Sequence, residues 1–546
     1  MDYQKLAELL FPEVTKTPEE MEALFPARSL KEGAIVSRMA PSPTGFVHLG
    51  NLVQGITSER LTHQSEGVLF LRIEDTDAKR EVEGAVNVLT KSLKHYGIEF
   101  DEGATPDGDK GDYGPYTQSK RREIYSVYAK KMVLEGHAYP CFCSEEEITA
   151  IREEQEKAGE DSIGYFGKYA KCRDLSFEEI EKHIANGDTW VLRYRSEGSL
   201  DRKIKFNDLI KGEIELTENI MDFVLLKSDG IPTYHFAHAV DDHLMRTTHV
   251  VRGDEWLPSL PFHIQLFRDL GFKLPKYVHI GPLMKMDGNS KRKLSKRKDP
   301  ELALTFYQQE GFPVEGVYEY ILTILNSNYE EWRAANPDAR AEDFKFSYKK
   351  MNPAGSLFDY MKLRDVSKNV ISRMDAEKVY SLLTAWAEEY DADFAKNLKD
   401  NRETSLAFLS IGRGGKKPRK DIAVWSECKD YMGYMFNAPE EYEDISDLRG
   451  TDMIADILKA YAEIYDPADD SSAWFEKVKS VAAEFNFCTD MKAYRANPEA
   501  YIGSTADVST FIRVAVTGKK NTPDLSTIMT LLGKEESVRR LLNYGK

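Results

Sequence analysis

Cysteine is scarce. Cys141, Cys143, Cys172, Cys428 and Cys488 are the only five in 546 residues, too few for a disulfide-stapled secreted scaffold. Long apolar runs are missing too. No stretch approaches the roughly 18 residues of a membrane-spanning helix, so no membrane partner is expected. The opening MDYQKLAELLFPEV lacks the basic-then-apolar order of an export signal, and the expected location is cytoplasmic. Positive charge is in short supply: Lys and Arg number 74 against 91 Asp and Glu, a net charge of -17. That balance excludes a protein that coats nucleic acid without regard to sequence. RNA contact would have to use local basic patches. Lys291-Arg292-Lys293 with Lys296-Arg297-Lys298 is one, and the glycine-rich run over 412–420, GRGGKKPRK, is another.

What is present is 41% hydrophobic residues in a chain long enough for three or four domains. Residues 33–39, GAIVSRM, read as a short strand. Pro41 and Pro43 end it, since each lacks an N–H and restricts its predecessor. Thr44-Gly45 is a turn, and from His48 onward Leu49, Leu52, Val53 and Ile56 recur at helical spacing. A strand, a loop and a helix N-terminus form the usual ligand-binding corner of an open α/β sheet. Free backbone N–H groups there attract phosphate. Far downstream, Lys293-Leu294-Ser295-Lys296-Arg297 follows an Asp287-Gly288 turn signal. Two lysines on such a loop suit a triphosphate and can neutralise charge that grows on a leaving pyrophosphate.

Together RMAPSPTGFVHLGN (38–51), LFLRIEDTD (69–77), GPYTQSKRREIY (114–125), the 222–256 segment ending in VVRGDEW, and KLSKRK (293–298) resemble the bacterial glutamyl-tRNA synthetase family of class I aminoacyl-tRNA synthetases, in order and spacing. These segments span roughly residues 35–300. Further on, FIRVAVTG (511–518) resembles the end of the family's anticodon-binding region. The resemblance implies an α/β fold: a Rossmann-type catalytic domain with an inserted acceptor-binding module, followed by a mainly α-helical C-terminal half. It implies ATP-dependent attachment of L-glutamate to tRNA(Glu) through glutamyl-adenylate, with Mg²⁺ accompanying ATP.

By the same resemblance, ATP falls to Thr44, His48, Gly50, Asn51, Trp256, Lys293, Ser295 and Lys296. His48, Lys293 and Lys296 form the catalytic set. A carboxylate is already a nucleophile, so His48 would steady phosphate oxygens and not remove a proton. Asn51 stands where the class signature has a second histidine. Glutamate falls to Arg38, Ala40, Ser42, Glu74, Tyr234, His238 and Arg252. Arg38 and Arg252 offer planar forks for carboxylates, and Glu74 suits the ammonium group. The family commonly has asparagine at the position of His238. Some relatives bind Zn²⁺ through Cys-x-Cys and Cys-x-His; in this sequence the four positions are Cys141, Cys143, Cys172 and Asp174, a chemically possible set. Backbone contacts to tRNA are expected from Arg413, Lys417 and Arg419.

The chain divides by pattern into an N-terminal helical extension (1–33), the first half of the Rossmann domain (34–140), the inserted module (141–220), the second half (221–300), a helical stem-contact region (301–395) and a helical anticodon-binding region (396–546). A monomer is expected. Rival readings are a glutaminyl-tRNA synthetase, a short paralogue that glutamylates a modified tRNA base, a small-molecule nucleotidyltransferase and a non-catalytic RNA-binding descendant. The Arg38 and Arg252 pair argues against the first, the long C-terminal half against the second, and KLSKRK with that half against the third. The intact ATP and glutamate sets argue against the last. Whether tRNA(Gln) is charged as well rests on contacts in the loosely matched half.

Overall fold

The computed structural model describes every residue except 44–46, 78–81, 83, 545 and 546. Thr44 therefore lies outside the described residues. The chain divides into two compact units, Met1–Leu304 with Ile321–Phe358, and Thr305–Tyr320 with Asp359–Lys546. The region expected over 301–395 is shared between them. Residues 342–346 belong to the first unit because Arg60 donates to the carbonyls of Glu342 and Phe344, and Gln64 bonds Phe346 in both directions.

In the first unit, α1 (Tyr3–Leu10) and α2 (Pro18–Leu24) open the chain. Asp2 caps α1, and Thr17 with Glu20 makes a capping box on α2. There follow β1 (Val36–Met39), α3 (Leu49–His63), β2 (Val68–Leu71), α4 (Ala85–His95), β3 (Glu102–Thr105), β4 (Gly108–Lys110) and α5 (Arg122–Leu134). Strands β1, β2 and β3 are parallel neighbours, and β4 returns antiparallel on β3. Helix α3 crosses over between β1 and β2, burying Leu49, Leu52, Val53 and Ile56; these are the residues whose spacing announces it.

The inserted segment contains β5 (Ala138–Cys141), α6 (Glu145–Ala158), α7 (Phe177–Ala185), β6 (Val191–Tyr194), the hairpin β7 (Lys203–Asp208) and β8 (Gly212–Thr217), and β9 (Val224–Leu226). Its small sheet runs β5-β6-β9, all antiparallel. A strand needs partners for its N–H and C=O groups. The module's sheet is accordingly completed by residues on both sides of the expected 141–220 boundaries.

The chain then re-enters the main sheet. Helix α8 (Tyr234–Leu244) leads to β10 (His249–Gly253), α9 (Leu260–Asp269) and β11 (Lys276–Ile280). Thr248 donates its N–H to Val36 O at 2.9 Å, and its hydroxyl accepts from Val36 N at 2.8 Å, which sets β10 beside β1. β10 and β11 are parallel, with Arg252 opposite His279. The result is a doubly wound parallel arrangement, β3-β2-β1-β10-β11, with its carboxyl ends at one edge. Beyond it, β12 (Leu283–Asp287) and β13 (Ser290–Lys293) form a hairpin, and β14 (Ser356–Leu357) joins β12. Gly288 makes the hairpin turn at φ +59°, as the Asp-Gly pair predicts.

The second unit is helical. Tyr360–Arg373, Ala376–Tyr390, Ala392–Asp400 and Arg402–Ser410 enclose one core containing Leu383, Leu398, Phe408, Trp425 and Met432. Ile454–Ile464, Ser471–Glu484 and Thr505–Thr517 enclose another with Ile457, Leu458, Tyr461, Val478 and Phe511. The FIRVAVTG segment is the end of the third of these helices, and Gly518 stops it at φ +75°.

The N-terminal extension is locked to the catalytic sheet. Buried Arg28 pairs its fork with Glu102 at 2.7 and 2.9 Å, donates from Nε to Met245 O, and lies 3.7 Å over the ring of Tyr113. Arg28→Ala leaves the partly buried Glu102 with the Tyr116 hydroxyl as its remaining partner and should cost about 1–2 kcal/mol, read as a lower urea midpoint. Lys31→Ala removes an exposed pair with Glu66 and should cost no more than about 0.5 kcal/mol.

Candidate active site

His48 sits at the N-cap of α3. Its Nδ1 accepts the Asn51 N–H at 3.3 Å, while Asn51 Oδ1 accepts the His48 N–H at 3.0 Å. This reciprocal cap explains Asn51: its oxygen is engaged in seating His48. It also fixes the imidazole as neutral, with hydrogen on Nε2. Burial, then the nearby Lys296, holds the His48 pKa below its usual value, with Glu255 opposing. A Cβ at residue 50 would fall 2.9 Å from this ring, so Gly50 keeps room for it.

His48, Gly50, Asn51, Glu255, Lys293 and Lys296 line a cavity of about 330 Å³. A smaller adjoining cavity of about 170 Å³ is bounded by Ser42, Pro43, His48, Asn51 and Lys296. Both lie outside the carboxyl ends of the strands. The KLSKRK segment is braced by a residue that no motif singles out. Asp299 is buried, receives both arms of Arg292 at 2.6 and 2.8 Å, and accepts the Ser295 N–H at 2.9 Å. Arg292, and then its backbone bond from Ser295 against opposing burial, holds the Asp299 carboxyl well below its usual range. Lys293 and Lys296 remain at the solvent side. Ser295 thus serves the loop through its backbone. The only signal for position 299 in the sequence is an acidic residue after a basic run.

The residues expected at glutamate belong to a largely buried, heavily charged cluster. Arg38 Nε donates to both oxygens of Asp242 at 3.1 and 3.2 Å. Arg72 donates to Asp242 at 2.7 Å and to Glu74 at 3.0 Å. Burial opposes ionisation of Asp242, but Arg38 and Arg72 outweigh it and hold its carboxyl well below the ordinary range. Burial pushes the Glu74 carboxyl up, against the pull of Arg72 and Arg38. Asp241, on the same helix, accepts from Arg121 at 2.7 Å, Gln118 at 2.9 Å and Tyr125 at 2.8 Å. Adjacent side chains on a helix diverge, so Asp241 takes Arg121 and Asp242 takes Arg38, and Arg72, within 3.8 Å of Asp241 and 2.7 Å of Asp242, joins them into one cluster.

Arg252 donates to His279 Nε2 at 3.0 Å, to Tyr234 Oη at 3.3 Å, and from both arms to His263 Nδ1 at 3.3 Å. Tyr234 packs on Trp256 with centroids 4.2 Å apart and stacks on His238 at 5.8 Å. The structure thus gathers Arg38, Glu74, Tyr234, His238 and Arg252 in one place. Trp256, expected at ATP, stands against Tyr234 and within 5.9 Å of Arg252. His238 is fully enclosed. Its Nε2 meets Tyr277 Oη at 2.9 Å, and its Nδ1 lies 2.7 Å from Asp242, off-line for a hydrogen bond. It backs the site and does not form its surface. Ala40 is half-buried just past β1, and Ser42 is exposed.

In the inserted module, the sulfur atoms of Cys141, Cys143 and Cys172 lie within 4.8 Å of one another. Asp174 is not among them. It is 84% exposed and paired with Arg195 at 3.0 Å, because the arginine reaches it from β6's end. Tyr165 Oη instead lies 3.4 Å from both Cys141 and Cys143. In the second unit, Arg413 is an internal brace, whereas Arg419 is partly exposed. Arg413 donates to the carbonyls of Leu409, Ile371 and Met374, and burial lowers its pKa. Arg419 pairs with Asp421. Lys417 is exposed.

A doubly wound sheet with a histidine-capped helix on one side of a phosphate-sized cavity and a lysine loop on the other defines a class I aminoacyl-tRNA synthetase site. The profile described as "tRNA synthetases class I (E and Q), catalytic domain" matches residues 34–344, and that of the "Anticodon binding domain" matches 503–544. Glutamate--tRNA ligase of Acetivibrio thermocellus is 50% identical over 99% of this chain and 100% of its own length. That of Clostridium perfringens strain 13 is 48% identical over 99% and 100%. The crystal structure of a glutamate tRNA ligase from Elizabethkingia meningosepticum in complex with its amino acid superposes with a TM-score of 0.74 at 27% identity, covering 93% of this chain and 98% of that one. The chain belongs to the glutamate--tRNA ligase family of class I synthetases.

The buried histidines set a pH dependence. Burial brings His235 and His249 down to about 4 and His238 to about 3. An unfolded chain takes up these protons near pH 6.5, so stability should fall as pH drops from 6.5 towards 4. His63 runs the other way. Its bond to Glu59, then Asp101, against burial, raises it to about 9, so its contribution is full below pH 6.5 and is lost as pH rises through 9. Urea midpoints measured over pH 4.5–9 should show both slopes; H235N/H249N makes the acid arm shallower, with His238 still contributing, and H63Q reduces the alkaline one.

Proposed function

We propose that the chain activates glutamate with ATP and transfers it to the end of tRNA(Glu), His48 and the lysine loop serving ATP while Arg38 and Arg252 serve glutamate. The observation that carries the reading is the presence of two unlike sets of residues in one sheet domain. One lines a solvent-facing cavity with His48, Lys293 and Lys296; the other is a charged cluster in which Arg38 and Arg252 are buried and Arg252 donates to Tyr234.

Binding the side-chain carboxylate of glutamate beside Arg252 leaves its α-carboxylate, a nucleophile that needs no base, to face ATP. Holding ATP phosphates between the α3 N-terminus and the lysine loop places positive charge where pyrophosphate departs. Neutral His48 contributes a hydrogen bond to phosphate oxygen. Mg²⁺ travels with ATP as counter-charge on the phosphates. A further cavity of about 850 Å³ is lined by Ile148, Ile151, Tyr165, Phe223 and Tyr234, a mostly apolar space beside the amino-acid pocket that suits the terminal base of the acceptor strand. Lys417 is the basic side chain of the 412–420 run offered to tRNA. The enzyme is read as a cytoplasmic monomer.

Purified protein should attach radiolabelled glutamate to tRNA(Glu), and Lys296→Ala should lower kcat/KM about 100-fold or more. Failure to charge tRNA(Glu) with folded protein, ATP and Mg²⁺ would overturn the reading. Charging of tRNA(Gln) in the same assay measures tRNA discrimination.

The cysteine trio fits three corners of a zinc ion. Cys143 and Cys172 sulfurs stand 3.6 Å apart, close to the roughly 3.8 Å between ligands of a tetrahedral thiolate site. The fourth corner falls to Tyr165 oxygen or water. Bound zinc would hold the module's loops together and take no part in the reaction. Metal analysis should find about one zinc per chain, lost in Cys143→Ser and kept in Asp174→Asn.

A further inference from the structure

The two arginines of the amino-acid pocket are held in chemically opposite ways. Arg38 shares the carboxylate of Asp242 with Arg72, which also pairs with Glu74, and Arg121 pairs with Asp241. In that cluster three arginines meet three carboxylates. Arg252, only 3% exposed, has no carboxylate partner among the described residues. Its fork closes on His263 Nδ1, its Nε–H points to His279 Nε2, and Tyr234 oxygen takes another N–H.

Each of these imidazoles accepts a hydrogen bond from Arg252, so each is unprotonated at that nitrogen. The remaining nitrogens fix the tautomers. His263 Nε2–H donates to His235 Nδ1 at 2.9 Å, and His279 Nδ1–H donates to Asp208 at 2.7 Å. The fold supplies both contacts: His279 is opposite Arg252 in the β10–β11 register, and α9 carries His263.

We propose that His263 and His279 are specificity-determining positioning residues: as neutral acceptors they hold the Arg252 guanidinium without discharging it, and so reserve its charge for a carboxylate of the amino-acid substrate. A carboxylate in either place would orient Arg252 equally well but would cancel the charge that draws glutamate in and that the neutral side chain of glutamine does not answer. The inference rests on the reading that Arg252 meets a substrate carboxylate.

The test is a matched pair. Asn and Asp both place an oxygen where His263 Nδ1 lies, one neutral and one charged. Aminoacylation of tRNA(Glu) is measured with wild type, H263N, H263D and Arg252→Gln, scoring KM for glutamate, KM for ATP and inhibition by glutamine. H263N should keep the glutamate KM within about threefold of wild type, whereas H263D should raise it about tenfold or more. The ATP KM and the glutamine inhibition constant should move less than about threefold in both. Equal effects of H263N and H263D, or a parallel change for glutamine, would overturn the proposal, because packing alone would produce them. Arg252→Gln separates the two readings. If it leaves the glutamate KM unchanged, the role of Arg252 fails. If it raises the KM while H263N and H263D agree, only the histidine inference fails. Should H263D not fold, H279Q and H279E in a D208N background put the same charge contrast on the other side of Arg252, with the same expectation.

Discussion

Asp242 is the point on which the catalytic half turns. One buried carboxylate receives Arg38 from β1 and Arg72 from just beyond β2, and sits against His238 one helical turn earlier. Two strands and a helix far apart in sequence are thus tied by charge in the interior. Burying charges is costly unless they are paired and hydrogen-bonded. The network meets that condition only when β1, β2 and α8 take their native positions. It therefore acts less as a source of stability than as a geometric constraint, and what it constrains is the direction of Arg38 and Glu74.

The two halves of the site solve different electrostatic problems. A triphosphate brings its own large charge and arrives from water, so exposed lysines on a braced hairpin suffice, with Asp299 holding the loop's backbone and Arg292 while the lysines project. An amino acid is small, and its side-chain charge must be read against an uncharged isostere. That task needs a desolvated cation with its charge intact. The ring of neutral histidines around Arg252 supplies one inside a protein whose overall charge is -17.

Basic residues in the helical half show the converse. Arg413 and Arg540 spend their donors on backbone carbonyls at helix ends and loops. Each satisfies acceptors that a helical terminus leaves open. A run rich in Lys and Arg is therefore no measure of surface charge, since arginine's five donors suit internal bracing as well as phosphate.

The doubly wound α/β class, the helix beginning at His48, the turn at Asp287-Gly288 and the helical character of the second half are all legible along the chain. These depend on local periodicity and on residues with special backbone demands, which are read without knowing what lies opposite. The residues expected at ATP and at glutamate stand in ordered motifs along the chain as well. Which charges cancel is settled only once the chain is folded. Asn51 is a cap partner, Asp174 belongs to Arg195 and not to the thiols, Arg413 faces inward, Arg419 pairs with Asp421, and Arg252 is held by imidazoles from a strand and a helix. Pairing energy depends on separation and desolvation in three dimensions, and neither quantity is written in the spacing of residues along a chain.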